Sequence, residues 1–157
     1  MKLNYENGFT VIELMITILL LGVLAGVAVP SFASILKQNR LSAQTNTILS
    51  SLNYARSETI TQNTDVVIAP LVAGIDWSAG WTTSVDGTVL RNFESFSNAS
   101  VTSSVAILTY KSDGSLDSGA PVTITLTPDE CPTGSSDIRI ISVSLSGQSR
   151  STSGNCT

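Results

Sequence analysis

Few side chains in this sequence could do chemistry. The 157-residue chain contains no histidine, which removes Ser-His and Cys-His nucleophilic mechanisms, histidine-ligated zinc, and the commonest general base at neutral pH. Its only cysteines, Cys131 and Cys156, fall short of the four thiolates of an all-cysteine zinc site. Charged residues make up 13% of the chain, against about 25% in ordinary domains. Eight are basic and 12 acidic, a net charge of −4. Such a chain is neither a solvated charged tail nor a histone-like or ribosomal-type nucleic-acid binder. Composition argues against an enzyme, and no cofactor or metal is expected. One ionisable side chain stands out by its position: Glu13, four residues into an apolar run.

That run, FTVIELMITILLLGVLAGVAV, covers 21 residues from Phe9 to Val29 with Glu13 as its only charge. As a helix it would extend about 32 Å, enough to cross a bilayer core. A buried core helix, a cleaved signal peptide and a permanent anchor all present such a run. Core helices are rarely apolar on every face over this length. A signal peptide needs a basic start and a small-residue cleavage site. The first eight residues carry one Lys and one Glu, although Gly26-Val27-Ala28 would serve as a site. Neither reading explains Glu13, since a carboxylate within lipid costs a few kcal/mol and is usually kept for a partner or a function.

Gly8-Phe9-Thr10-Val11-Ile12-Glu13-Leu14 resembles the processing motif of type IV pilins and type II secretion pseudopilins. The family carries a short leader ending in Gly, then Phe, then Glu at the fifth mature position, directly ahead of about 20 apolar residues. The resemblance implies cleavage between Gly8 and Phe9 by the prepilin peptidase and N-methylation of Phe9. It implies too that Glu13 pairs with the Phe9 amine, commonly that of a neighbouring subunit, once the helix leaves lipid for a filament core where a charge must be paired. Alternatively, Glu13 is simply a first-turn charge favoured by the helix dipole. Gly22 and Gly26 form a G-x-x-x-G face for close helix approach. Pro30 cannot donate to the Gly26 carbonyl, so the helix should loosen there; in the family this stretch loses helical order on assembly.

After Pro30 the pattern turns amphipathic, with Ile48, Leu49, Leu52 and Ala55 at spacings of one, three and four. This predicts a helix continuing to Gln62-Asn63, roughly 80 Å from Phe9, whose second half supplies an apolar stripe. Strands are predicted at Val66–Val72, Trp81–Val85, Thr88–Phe93, Val105–Tyr110, Val122–Leu126 and Ile138–Leu145, with Asp86-Gly87 as a two-residue hairpin turn. The expected fold class is α+β: a long N-terminal helix packed by its second half on an antiparallel β-sheet domain. The segments are a leader over 1–8, a hydrophobic transmembrane or filament-core helix over 9–36, and a periplasmic or extracellular globular domain over 37–157.

Leu52-Asn53-Tyr54-Ala55-Arg56-Ser57-Glu58 followed by Asp76-Trp77-Ser78-Ala79-Gly80-Trp81 is similar to the GspH/FimT family, which holds the H-type pseudopilins and the FimU/FimT-type minor pilins. Trp77 and Trp81 are expected between sheet and helix, while Arg56 and Glu58 either bridge helix to loop or are solvated. The globular half would then lie outside the cytoplasm, where an even cysteine count favours a Cys131–Cys156 disulfide over two free thiols. The resemblance implies a minor pilin, with other major and minor pilin subunits as partners, the inner membrane as its location before assembly, and the pilus after it. An H-type pseudopilin of type II secretion is the alternative with the same physics. Some FimT proteins bind DNA through a carboxyl-terminal G-R-x-R element; here it reads Gly147-Gln148-Ser149-Arg150. The candidate contacts are Arg139 and Arg150. From Lys37 onward there are seven basic and ten acidic residues, so duplex DNA is expected to bind weakly or not at all.

Overall fold

In a computed structural model, residues 8–157 are described. The order is α1 (Val11–Gln62), β1 (Val66–Pro70), β2 (Gly80–Val85), β3 (Thr88–Glu94), β4 (Ala99–Ser103), β5 (Leu108–Tyr110), β6 (Val122–Pro128), β7 (Ile138–Val143) and β8 (Ser149–Gly154). The chain divides into two compact units, the first ending at Asn39 and the second running Arg40–Thr157.

In the first unit, α1 starts where Thr10 caps it. The Thr10 hydroxyl accepts a bond from the Glu13 backbone amide at 3.3 Å, and the Thr10 carbonyl accepts the Leu14 amide. The first bond satisfies one of the amides that a helix start leaves without an intrahelical partner, and the second is the first bond of the helical ladder. Thr10-x-x-Glu13 has the spacing of a capping box. From Phe9 to Leu36 every large apolar side chain that is described is more than half exposed. The helix is long and apolar enough to cross a membrane, and it continues through Pro30.

In the second unit, the helix buries a narrow stripe. Leu41, Thr45, Ile48, Leu52, Ala55 and Thr59 are all nearly inaccessible, at alternating spacings of four and three that keep one face inward. Against this stripe lie two four-stranded antiparallel sheets, ordered β3-β2-β1-β5 and β4-β6-β7-β8. Their buried faces alternate as expected of half-solvated strands: Val66 and Ile68 on β1, Trp81 and Val85 on β2, Val122, Ile124 and Leu126 on β6, Ile141 and Val143 on β7. One hydrophobic cluster joins the helix stripe to both sheets.

The α+β class, the long helix and its end at Gln62 agree with expectation; the strand pattern differs in detail. The eight strands form two sheets rather than one. β1 stops at Pro70: the Leu71 amide makes a last bond in register with the ladder, to the Gly80 carbonyl, and Leu71 and Val72 are exposed. β5 begins only at Leu108, since the Ser103 hydroxyl takes the Val105 amide and holds that stretch in a bend. β7 stops at Val143, where Ser144 and Gly147 close a turn. The Asp86-Gly87 hairpin forms as expected, with φ of 47° and 79° at the two turn residues, the signature of a primed two-residue turn.

Candidate functional site

The sequence-predicted residues fall into two groups. Gly8, Phe9 and Glu13 sit at the start of α1 in the first unit, all exposed. Glu13 occupies the third helical position and donates its amide to the cap. The leader expected over 1–8 lies outside the described residues except for Gly8. Pro30 lies within α1.

The two family-like motifs of the second unit prove to be packing devices. In Asp76-Trp77-Ser78-Ala79-Gly80-Trp81, the Asp76 carboxylate accepts the Ser78 amide at 2.9 Å. Bonds from Ser78 hold that carboxyl below its usual range. The Trp77 amide and the Ser78 hydroxyl bind the Val101 carbonyl and amide, tying the turn to β4. The Gly80 amide returns to the Trp77 carbonyl at 3.0 Å, with φ of 103° at Gly80. A β-carbon there would fall on the Phe93 carbonyl oxygen, so the turn that delivers both tryptophans requires glycine. Trp77 and Trp81 are 2% and 1% exposed, with rings 6.2 Å apart. Trp81 also stacks on Phe93 at 5.6 Å and donates its indole N–H to the Ser51 hydroxyl of α1 at 3.1 Å. Buried this way, the pair packs between sheet and helix and offers no ligand platform.

Of the two readings left open for Arg56, the bridge is the one observed. Its Nε donates to the Gly114 carbonyl and its Nη2 to the Ser146 carbonyl, each at 3.0 Å. One guanidinium thus fastens the helix to the turn after β5 and to the turn between β7 and β8, one in each sheet. Both turns carry a left-handed glycine, Gly114 and Gly147. Glu58 instead accepts a bond from Gln62 along the helix. Tyr110 lies in the core beneath this staple, 0% exposed, and burial pushes its phenol up to about 12.

Cys131 and Cys156 form the expected disulfide, with Cα atoms 5.5 Å apart. Backbone bonds from Gly134 to Cys156 and from Cys156 to Ser135 flank it, so the end of the chain is fixed beside β8. The structure separates the two arginines considered for DNA. Arg139 on β7 faces Ser153, whereas Arg150 on β8 faces Ser142, three residues along β7. An odd offset in a strand places side chains on opposite faces, so Arg139 and Arg150 do not share a patch. Arg139 is engaged with the carbonyls of Ser136 and Ile138. Among the described residues no cluster of metal-ligating side chains occurs.

Sequence reasoning missed three contributors: Thr10, Ser51 and the Gly114–Gly147 pair. Thr10 was legible as a capping-box residue. Ser51 was not, because a polar residue on an apolar stripe reveals its partner only in three dimensions.

Comparison with known proteins places these features in a family. Residues 3–29 match the prokaryotic N-terminal methylation motif, and residues 44–147 match the family described as type II transport protein GspH. Two fimbrial proteins of Pseudomonas aeruginosa are each 26% identical over 121 residues, covering 76% of this chain and 78% of the relative. The crystal structure of the type IV minor pilin FimU of Pseudomonas aeruginosa superposes with a TM-score of 0.62 at 24% identity, over 72% of this chain and 88% of that one. A second crystal form gives 0.59 over 73% and 91%. At this identity the likeness speaks for the fold: one long helix with antiparallel sheets behind it. With two thirds of its length matched to the family and both signature motifs accounted for by packing, the chain belongs to the GspH family of pilin-like proteins.

Proposed function

We propose that this chain is a minor pilin of a type IV pilus: a non-catalytic subunit, held in the inner membrane by α1 before assembly and carried in the filament afterwards. The observation that bears most weight is the first half of α1. It is capped at Thr10, carries a methylation motif, and exposes its apolar side chains from Phe9 to Leu36. Apolar surface on this scale needs lipid or other helices around it. On this reading the prepilin peptidase cuts between Gly8 and Phe9, the Phe9 amine is methylated, and Glu13 pairs with a Phe9 amine in the assembled core. Its partners are other major and minor pilin subunits. The match to the type II transport protein GspH supports a second reading, an H-type pseudopilin, which uses the same residues in the same way. The DNA-binding alternative loses support from the separation of Arg139 and Arg150.

Intact-mass measurement on protein extracted from membranes tests the processing step. The expected mass lacks residues 1–8 and carries one additional methyl group. A mass beginning at Val29 overturns the proposal in favour of a secreted protein with a cleaved signal peptide.

A further inference from the structure

An open groove of about 500 Å³ lies between α1 and the β7–β8 hairpin, with Asn53, Arg56, Ser142, Ser144, Gln148 and Arg150 among its walls. In a chain with net charge −4, its described walls hold two arginines and no carboxylate. The carboxylates of the adjoining turn are engaged elsewhere: Asp113 accepts the Ser115 amide, and Asp117 pairs with Lys111 at 3.1 Å. Arg56 is fixed in place by the Gly114 and Ser146 carbonyls through Nε and Nη2. Those two bonds leave its Nη1 donors unused. A guanidinium held this way loses little conformational freedom when it takes a further acceptor.

The strand register puts an opposite charge at the far end of the same sheet. Val122, Val143 and Ser149 line up at the groove end, whereas Pro128, Ala99, Ile138 and Gly154 line up at the other. Directly after Pro128 come Asp129 and Glu130, both exposed. The groove end therefore carries Arg150 of the sheet and Arg56 of α1, while the far end carries Asp129, Glu130 and Asp137 against one arginine, Arg139, and is net acidic. Such a surface is complementary to its own kind head to tail, the heterologous arrangement from which filaments are built.

We propose that this groove is a docking site for an acidic segment of a neighbouring filament subunit, of the chemistry this chain carries at Asp129-Glu130, with Arg150 and Arg56 receiving the carboxylates. The proposal rests on the pilin reading. Nucleic acid fits less well, since two arginines offer few phosphate contacts and the ten acidic residues from Lys37 onward, against seven basic, repel a polyanion. A short acidic segment meets that repulsion over only a few charges and gains charge-assisted bonds at contact.

The test uses the full-length protein in detergent and fluorescence anisotropy with three labelled probes: an octapeptide of alternating Asp and Glu, a Gly-Ser octapeptide, and an eight-nucleotide single strand of DNA. The acidic peptide should bind at least about tenfold tighter than the Gly-Ser peptide, and less tightly as salt is raised. Arg150→Gln should weaken it about tenfold, the effect of losing one charge-assisted bond, and Arg150→Glu should abolish it. Arg150 is exposed, and an unchanged thermal melt shows that each variant is folded. Equal binding of both peptides, indifference to Arg150, or preference for the DNA strand overturns the proposal, the last in favour of a nucleic-acid site. Sheared filaments from the native cells are examined in parallel. Presence of the chain in filaments with no acidic-peptide binding defeats the groove proposal alone, and its absence from filaments defeats the subunit reading and the proposed occupant with it.

Discussion

The two halves of α1 are one helix under two regimes. From Leu41 to Thr59 the helix buries one side at alternating spacings of four and three and leaves its polar side to solvent. From Phe9 to Leu36 the large apolar side chains that are described stay exposed on every side. Residues of the second half draw their stability from the chain's own sheets. Those of the first half have to draw it from outside, from lipid or from other helices. The same element is thus part of a fold at one end and part of an assembly at the other, and a substitution should act on whichever of the two its position serves.

The largest expected effect tests the division directly. Trp81→Ala removes a side chain that is 1% exposed, stacked on Phe93 and bonded to Ser51. It should cost roughly 3–5 kcal/mol of stability, as large-to-small changes of buried aromatics do. Leu20→Ala, at an exposed position of the first half, should shift the thermal midpoint of the second unit by no more than about 0.5 kcal/mol equivalent. Comparable losses in both variants, followed by near-ultraviolet circular dichroism, would break the comparison.

A smaller effect belongs to the second unit alone and is read through pH. Tyr110 is buried, and its phenol is pushed up to about 12, above an unfolded value near 10. Its folded state therefore holds the proton more tightly. The associated stability is complete below about pH 10 and is lost as pH rises toward 12, on the order of 2–3 kcal/mol in all. Tyr110→Phe should flatten that part of the stability profile. A profile unchanged by the substitution would show that another group titrates there.

Glu13 should show the smallest effect on stability and a decisive one on assembly. Glu13→Val should leave the melt of the second unit and membrane insertion unchanged, while the protein no longer co-purifies with sheared filaments. Incorporation at wild-type levels would show that the pairing with a Phe9 amine is dispensable.

Legibility in the sequence divides along a different line. Apolar periodicity and turn chemistry carry the reading at the end of α1 at Gln62, the Asp86-Gly87 hairpin and the inward tryptophans, but overrun the ends of β1 and β7 and the start of β5. The reading fails where a strand carries few or no large apolar residues. β8, Ser149–Gly154, reads SRSTSG and exists because β7 offers it a ladder and the disulfide fixes its end. β4, Ala99–Ser103, is five small or medium residues held between β6 and the Trp77 turn. With those two strands unseen, the second sheet could not be told from the first. The start of the candidate site was legible because Gly8, Phe9 and Glu13 are contiguous. The staple was not, because it joins residue 56 to residues 114 and 146.

That staple makes three distant positions one unit of heredity. A β-carbon at Gly147 would fall on the Gly114 carbonyl and within 2.9 Å of the Arg56 Nε, and one at Gly114 would lie 3.4 Å from the same nitrogen. Both glycines also hold left-handed backbone, with φ of 79° and 76°, which other residues adopt only at a cost. A lineage that replaces Gly147 displaces the guanidinium, one that replaces Gly114 strains the left-handed turn whose carbonyl the guanidinium holds, and one that loses the arginine leaves two turn carbonyls without their donor. Residues 56, 114 and 147 should therefore be kept together or exchanged together, however freely the serine-rich strands around them drift.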